Sequence, residues 1–572
     1  MSKYKTADAF VSILKEHGVD RAFINPGGDF LEVLPSMAAA RLADSNSPQM
    51  ILCLDESVTA SAAYGNYMVT GKPQVIMVHS EVGTLQLGGH YQNLQWGRVP
   101  VVILSGWWNQ FDEPRKTWEG KPYDQASIVR NNVKYDRYVK YGEDLHEVMA
   151  EAFKIACTEP TGPVYLWFPI DYLTGEIEKP EGPPAVLKPD PLPAVDMATL
   201  EKIANILLDA RNPMLVSGNA GRFPQNVASL VSLAEALCAP VQTGYSWMNF
   251  PSNHPLCIGI EHILGSRNMD AVYDDADVIL VIDYDVPYLA AAPPPKPETK
   301  LIQIDVDPCT AGGRLLWGRG ADIFMKADSR EAIPALEKLL KDKISAEKKA
   351  ELDDRFRKIS ALNEKTRQGW YESALNQSKS EPISADYLCH CINQVIDEDT
   401  IVVNHTLTHC ASPTEQIVRT KPRTWFGCPS GAIGWAPGAA LGASSASPGK
   451  TVVAIMSDGG FIWGCPTSVI WTSARYHYPF LAVICNNRGY GAVREPILKM
   501  IEKPNPGDEF LDEMAVEFQP DYVMIAKGAG AGYGRIVTKP EEILPALKEA
   551  IEAVRSGKTA VLDVHLPRIC GW

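Results

Sequence analysis

The chain has 572 residues, 45% of them apolar and 22% charged, and a formal net charge of −15. That length suits about three domains of ordinary size. An excess of acid with no basic run argues against nucleic acid as a partner, and no apolar run is long enough to cross a membrane.

The opening residues, MSKYKTADAFVSILKEHGVD, read as an amphipathic helix over positions 4–18 and not as a secretory signal. Asp20–Ile24 reads as a short strand ending in Asn25-Pro26-Gly27-Gly28, whose glycines allow close backbone approach to a ligand. Met50–Leu54 is the next strand. Asp55-Glu56 and a helix over Ser57–Met68 follow, with enough small residues to predict tight packing. A Glu at a helix entry is ordinarily a surface residue that offsets the helix dipole. Further strands are expected at Gln74–His79, Val99–Leu104 and Pro163–Phe168. The alternation of strand and helix predicts a mostly parallel sheet covered on both faces.

Residues 179–194 carry six prolines and read as an extended linker. A second α/β block has strands at Pro213–Ser217, Val278–Ile282 and Leu301–Val306. Its Gly218-Asn219-Ala220-Gly221 turn is not followed by a full GxGxxG, so a dinucleotide site is disfavoured, and with it a nicotinamide or flavin oxidoreductase. Residues 326–376 read as a charged helical connection. A third α/β block has strands at Ile401–Asn404, Val452–Met456, Phe480–Cys485 and Ala560–His565. The 12 cysteines show no paired CxxC spacing. Cys389-His390-Cys391 reads as part of a buried helix, not a metal site. Free thiols suit a reducing cytoplasm, the expected location.

The most informative stretch is Met456–Arg494, MSDGGFIWGCPTSVIWTSARYHYPFLAVICNNRGYGAVR. It reads as strand, turn, helix, strand, with Asp458 and Asn487 at the carboxyl ends of adjacent strands. There a carboxylate and an amide oxygen converge, a hard-oxygen pair suited to Mg2+ carrying a diphosphate. Gly459 and Gly460 let phosphate oxygens reach backbone N–H groups. An ordinary βαβ unit with Asp, Gly and Asn in its turns is the competing account.

This stretch resembles the thiamin diphosphate (ThDP) fingerprint, GDG followed about two dozen residues later by NN, with Ser457 in place of the first Gly. NPGGDFLEVLP, DESVTASAAYGNYMVTGKP, HSEVGT, TGPVYLWFPID and SGAIGWAPGAALGA extend the likeness. Together they resemble the ThDP-dependent 2-oxo acid decarboxylase and carboligase group, which includes acetolactate synthase, benzoylformate decarboxylase, pyruvate oxidase and benzaldehyde lyase. The resemblance implies three doubly wound α/β domains with parallel sheets. These are a pyrimidine-binding domain over 1–178, a Rossmann-like middle domain over 195–342 and a diphosphate-binding domain over 377–572. It also implies ThDP and Mg2+ as cofactors. The assembly would be a homodimer or homotetramer, with the coenzyme between the first domain of one subunit and the third of another.

The resemblance assigns roles residue by residue. Glu56, preceded by Asp55 where many members have His, matches the Glu that activates the aminopyrimidine ring. Pro26, Gly27 and Gly28 match the loop that approaches the coenzyme, Thr408 a diphosphate-contacting hydroxyl, and the Gly431 carbonyl the acceptor for the ring's amino group. Ile433 matches the apolar wedge beneath the two rings. Asp458, Asn487 and the Gly489 carbonyl match the metal ligands. His79 matches a catalytic His of benzoylformate decarboxylase, though a core histidine is the alternative. That relative has a second active-site His, absent from Asp283–Ala292 here, and a Ser where Gly28 stands, which counts against benzoylformate as substrate. The Arg-containing segment of FAD-carrying acetolactate synthases is also missing, so no functional FAD is expected. Trp107, Trp108, Trp463 and Trp471 lie in or near these segments; Trp463 suggests room for an apolar or aromatic acyl group. The expected reaction is decarboxylation of a 2-oxo acid, with or without carboligation. The alternatives are an aldehyde or acyloin lyase or carboligase, and a catalytically silent ThDP-binding member, which the presence of Glu56 disfavours.

Overall fold

The computed structural model describes residues 3–107, 124–140, 144–179, 182, 186–192, 194–260, 270–284, 295–307, 321–428, 430–500 and 519–568. Trp108 and residues 285–292, on which part of the sequence comparison turned, lie outside them.

Three six-stranded sheets carry the fold, and every pairing within them is parallel. In the first the order is Gln49–Leu52, Arg21–Asn25, Gln74–Val78, Val101–Trp107, Val164–Pro169, Tyr135–Tyr138. In the third it is Trp425–Gly427, Ile401–His405, Val452–Ser457, Leu481–Asn486, Ala560–His565, Tyr533–Val537. The central strands Gln74–Val78 and Ile401–His405 are buried along their whole length. Helices cover both faces, which is why these strands read as continuous apolar runs instead of alternating ones.

Both sheets are doubly wound. From Arg21–Asn25 the chain goes first to one side (Gln49–Leu52) and then to the other (Gln74–Val78); from Ile401–His405 it does the same. Between the two directions a crevice opens at the carboxyl ends of the strands, where ligands bind in such folds. The middle sheet, built around Pro213–Ser217 and Val278–Ile282, is doubly wound too, with two strands on one side of Pro213–Ser217 before the chain crosses to the other. Gly218 makes room for the Tyr284 ring, and Asn249 Nδ2 donates to the Gly218 carbonyl at 2.8 Å while its Oδ1 accepts from Gly221 N at 2.8 Å. Arg222 pairs with Glu159 at 3.0 Å and Arg98 with Asp305 at 3.3 Å, tying this block to the first.

Two sequence expectations need correction. The first helix starts at Thr6, because Lys3–Lys5 pairs antiparallel with Glu176–Glu178. The charged region 326–376 is not all connection. Ser329–Lys343 buries Ala332, Ile333, Leu336 and Leu340 in the middle core, and only the following helix, Ala346–Asn376, is mostly exposed. Cys389, His390 and Cys391 are buried on helix Ala385–Val395, as expected.

The first and third blocks meet where helix Glu56–Thr70 crosses helix Trp435–Ala446. Their small residues bring backbone against backbone. A Cβ at Gly442 would lie 1.9 Å from the Ala62 carbonyl oxygen, and one at Gly65 would lie 2.0 Å from that of Ala439. Asn66 Nδ2 donates to Ser445 Oγ at 3.0 Å across the same contact. Gly442→Ala is therefore expected to force the helices apart at a cost of about 1–3 kcal/mol. Denaturant unfolding checks this, and an unchanged midpoint would show that the crossing yields freely.

Candidate active site

The site residues fall into two groups, one at the crevice of each outer sheet. In the first, strand Arg21–Asn25 delivers Pro26-Gly27-Gly28, and strand Gln74–Val78 delivers His79. Glu56 follows strand Gln49–Leu52 and opens helix Glu56–Thr70. Asp55 is the N-cap, accepting from Ser57 N at 2.8 Å and from the Ser57 hydroxyl. That leaves the Glu56 side chain free of capping duty. Only 9% of Glu56 is exposed, so it is not the surface dipole residue that its position suggests. Its Oε1 lies against Gly83, where a Cβ would sit 3.0 Å away. Burial raises its carboxyl above the ordinary range, while Asn25 and the charge of His79 pull the other way.

His79 leans on Asp29, its Nδ1 3.0 Å from Oδ1, and the other Asp29 oxygen accepts from Ser80 N at 3.0 Å. Gly27 lies flat against the imidazole: a Cβ there would be 2.0 Å from Nδ1. Gly28 is exposed, with open space where a side chain would be. Beneath Ser80, the Thr84 and Ser105 hydroxyls both donate to its carbonyl, and Gln125 Nε2 reaches Ser105 Oγ and Tyr165 Oη. Asn25, Asp29 and this buried network were not singled out from sequence. The Asp in NPGGDF was the available signal.

In the second group, Ser457 caps the short helix Asp458–Trp463 by accepting from Gly460 N at 3.0 Å. This is the structural use of the residue that departs from the GDG pattern. Asp458 is 3% exposed. One of its oxygens accepts from Gly459 N at 2.8 Å, and the other, Oδ2, is buried and makes no hydrogen bond among the described residues. Burial pushes its carboxyl up to about 6 against the pull of the backbone N–H groups of Gly459, Arg488 and Gly489. The Asp458 side chain thus faces the turn that follows strand Leu481–Asn486.

The two asparagines of that turn differ. Asn486 is internal, donating to Asp563 Oδ1 at 2.8 Å and exchanging hydrogen bonds with Gln519. Asn487 starts the left-handed step at Arg488, and its Oδ1 accepts from Gly489 N at 3.2 Å. Ile433 is half-buried, with its Cγ2 4.0 Å from where a Cβ on Gly460 would stand. Gly431 and Gly459 border open space. Thr408 sits half-buried in the turn Leu407–His409, after Ile401–His405 and in contact with strand Val452–Ser457.

These features suit a metal-bound diphosphate. A buried carboxylate oxygen without a partner is costly, and no cluster of three His, Cys, Asp or Glu side chains stands ready to hold a metal among the described residues. Asp458 and the Asn487 amide offer hard oxygens of the kind that suits Mg2+. No hydrogen bond among the described residues links Glu56 to Asp458 or Asn487, but the turns that carry them touch: Ser57 Oγ lies 3.7 Å from Cys465 Sγ, and Asn93 Nδ2 donates to the Ala432 carbonyl at 3.2 Å. Large apolar side chains are exposed on the turns that carry both groups: Leu31, Val82 and Leu85 on one, Trp463, Tyr490 and Val493 on the other.

Three family models match the chain in order: "Thiamine pyrophosphate enzyme, N-terminal TPP binding domain" over residues 4–128, the central domain over 200–336 and the C-terminal TPP binding domain over 409–564. The chain belongs to the thiamin diphosphate (thiamine pyrophosphate) enzyme family. Within this family it is 26% identical to the probable acetolactate synthase large subunit of Methanocaldococcus jannaschii, over 98% of this chain and 91% of that one. It is 27% identical to the sulfoacetaldehyde acetyltransferase of Castellaniella defragrans, over 99% and 94%. The structure of a ThDP-dependent 4-hydroxybenzoylformate decarboxylase from Rhodococcus jostii RHA1 superposes with a TM-score of 0.79 at 22% identity, covering 99% of each chain, which establishes the shared fold. The curated relatives of this ThDP enzyme thus include acetolactate synthases and sulfoacetaldehyde acetyltransferases. Among its described residues no helix is long and apolar enough to cross a membrane.

The raised carboxyl of Glu56 in this ThDP enzyme has a thermodynamic signature. A carboxyl with a raised folded pKa binds its proton more tightly in the native state, so stability is lost as pH rises through that value. Without coenzyme, Glu56→Gln is expected to melt above the wild type at pH 8 and together with it near pH 4, about the ordinary Glu value. Thermal melts at the two pH values test this. Equal melting at both would mean that the carboxylate bears no burial cost.

Proposed function

We propose that the chain is a ThDP- and Mg2+-dependent lyase or transferase that breaks or forms a C–C bond next to a carbonyl, decarboxylating a 2-oxo acid with or without carboligation. The observation that carries this is the buried Glu56 carboxyl at the crevice of the first sheet, beside His79 and away from any capping role. When bound, ThDP supplies a nucleophilic carbon that then acts as an electron sink. The chain's own residues do the rest.

Glu56, its carboxyl raised by burial, hydrogen-bonds the coenzyme's aminopyrimidine ring and exchanges a proton with it. Pro26, Gly27 and Gly28 form the loop that approaches that ring. The Gly431 carbonyl accepts from its amino group, and Ile433 provides an apolar support at the Gly460 turn. Asp458, Asn487 and the Gly489 carbonyl hold Mg2+, while Thr408, Gly459 and Gly460 meet the diphosphate. His79 carries protons to and from the reacting substrate. The substrate is a small 2-oxo acid or aldehyde, and the exposed Trp463 leaves room for an apolar or aromatic acyl group.

The large apolar side chains exposed beside each group support a homodimer or homotetramer in which one subunit's first domain meets another's third. The domains proposed are 1–178, 195–342 and 377–572. A reducing cytoplasm suits the thiols, none of which forms a disulfide among the described residues.

Incubating the pure protein with ThDP, Mg2+ and a panel of 2-oxo acids tests the reaction by release of CO2 and formation of acyloin. Acyloin from aldehydes without CO2 would favour the non-decarboxylating lyase or carboligase; no product from any donor would overturn the proposal. Glu56→Gln is expected to keep ThDP uptake in calorimetry yet lose turnover by about 10²–10⁴-fold. Asp458→Ala should lose Mg2+-dependent uptake altogether, and uptake equal to wild type would remove Asp458 from the metal site.

A further inference from the structure

We infer that Asp29 is a positioning residue that fixes which nitrogen of His79 carries the proton. This rests on the reading of His79 as the proton carrier. Asp29 Oδ1 lies 3.0 Å from His79 Nδ1. A carboxylate only accepts hydrogen bonds, so Nδ1 carries a proton and, in the neutral ring, Nε2 on the far side holds the lone pair. Proton transfer then runs through Nε2: it takes a proton from the substrate and returns it, while Asp29 stabilises the imidazolium formed.

The pair is built, not incidental. Asp29 is 6% exposed, and its second oxygen is committed to Ser80 N at 3.0 Å, so the carboxylate cannot swing away without leaving a buried donor unmet. Two glycines reserve its space. A Cβ at Gly106 would lie 1.8 Å from Asp29 Oδ2, and one at Gly27 would strike the His79 ring. Ser80 in turn is held through its carbonyl by the Thr84 and Ser105 hydroxyls. Of the carboxylates facing His79, Glu56 is assigned to the coenzyme ring. Asp29, on the turn Gly28–Phe30, is left to orient the imidazole.

A cap for the following helix is the purely structural alternative, and Asp29→Asn separates the two. Its amide oxygen can still accept from Ser80 N, but its NH2 group then meets His79 Nδ1 and drives the ring to the Nε2–H tautomer. In holoenzyme labelled with ¹⁵N-histidine, the His79 resonances, identified by their loss in His79→Gln, are expected to report Nδ1–H in the wild type and Nε2–H in Asp29→Asn. A wild-type spectrum reporting Nε2–H overturns the inference, whether or not the variant folds. An unchanged tautomer in Asp29→Asn overturns it too. With the best 2-oxo acid of the panel, Asp29→Asn should lower kcat/KM by about 10²–10⁴-fold, and the double variant Asp29→Asn/His79→Gln should be no slower than His79→Gln alone. Additive losses would give Asp29 a role of its own and refute a role exercised through His79. Full turnover in His79→Gln would instead remove His79 as proton carrier, while the tautomer spectra would still decide what Asp29 does to the ring.

Discussion

Two carboxylates kept out of water at the ends of parallel strands govern this molecule. Taking a carboxylate from water without a partner is costly. Glu56 answers with a raised pKa. Asp458 keeps one oxygen on a backbone N–H and leaves the other unmet. A fold tolerates such arrangements where a ligand completes them, and here both stand at the crevice of a doubly wound sheet.

The rest of the chain holds these crevices in shape. Backbone contact at Gly65 and Gly442 locks helix Glu56–Thr70 to helix Trp435–Ala446, so the element that begins with Glu56 has little freedom to shift against the third block. Asp563 and Gln519 fix Asn486 and thereby aim Asn487. The Ser457 hydroxyl accepts from Gly460 N, a side-chain cap that a glycine lacks.

The middle block is doubly wound as well. Tyr284 and Asn249 pack against its Gly218 turn, and its charged residues, Arg222 and Asp305, reach Glu159 and Arg98 of the first block.

Sequence by itself determined the central strands, the two ligand-bearing turns and the family. Buried parallel strands are unbroken apolar runs, and the residues after them must be Gly, Asp or Asn to turn and to meet a ligand. The edge strand Gln49–Leu52 was legible, but other edge strands were not. Tyr135–Tyr138, Trp425–Gly427 and Tyr533–Val537 are short or half-polar, and only pairing with a neighbour makes them strands. The same holds for Lys3–Lys5, whose helical-looking pattern yielded to Glu176–Glu178. That Glu56 is buried, that Asn486 is a support where Asn487 is presented, and that Asp29 meets His79 were decided only by tertiary structure. Each depends on which groups the folded chain brings within hydrogen-bonding reach across 50 or more residues of sequence, and composition and spacing carry no record of such distances.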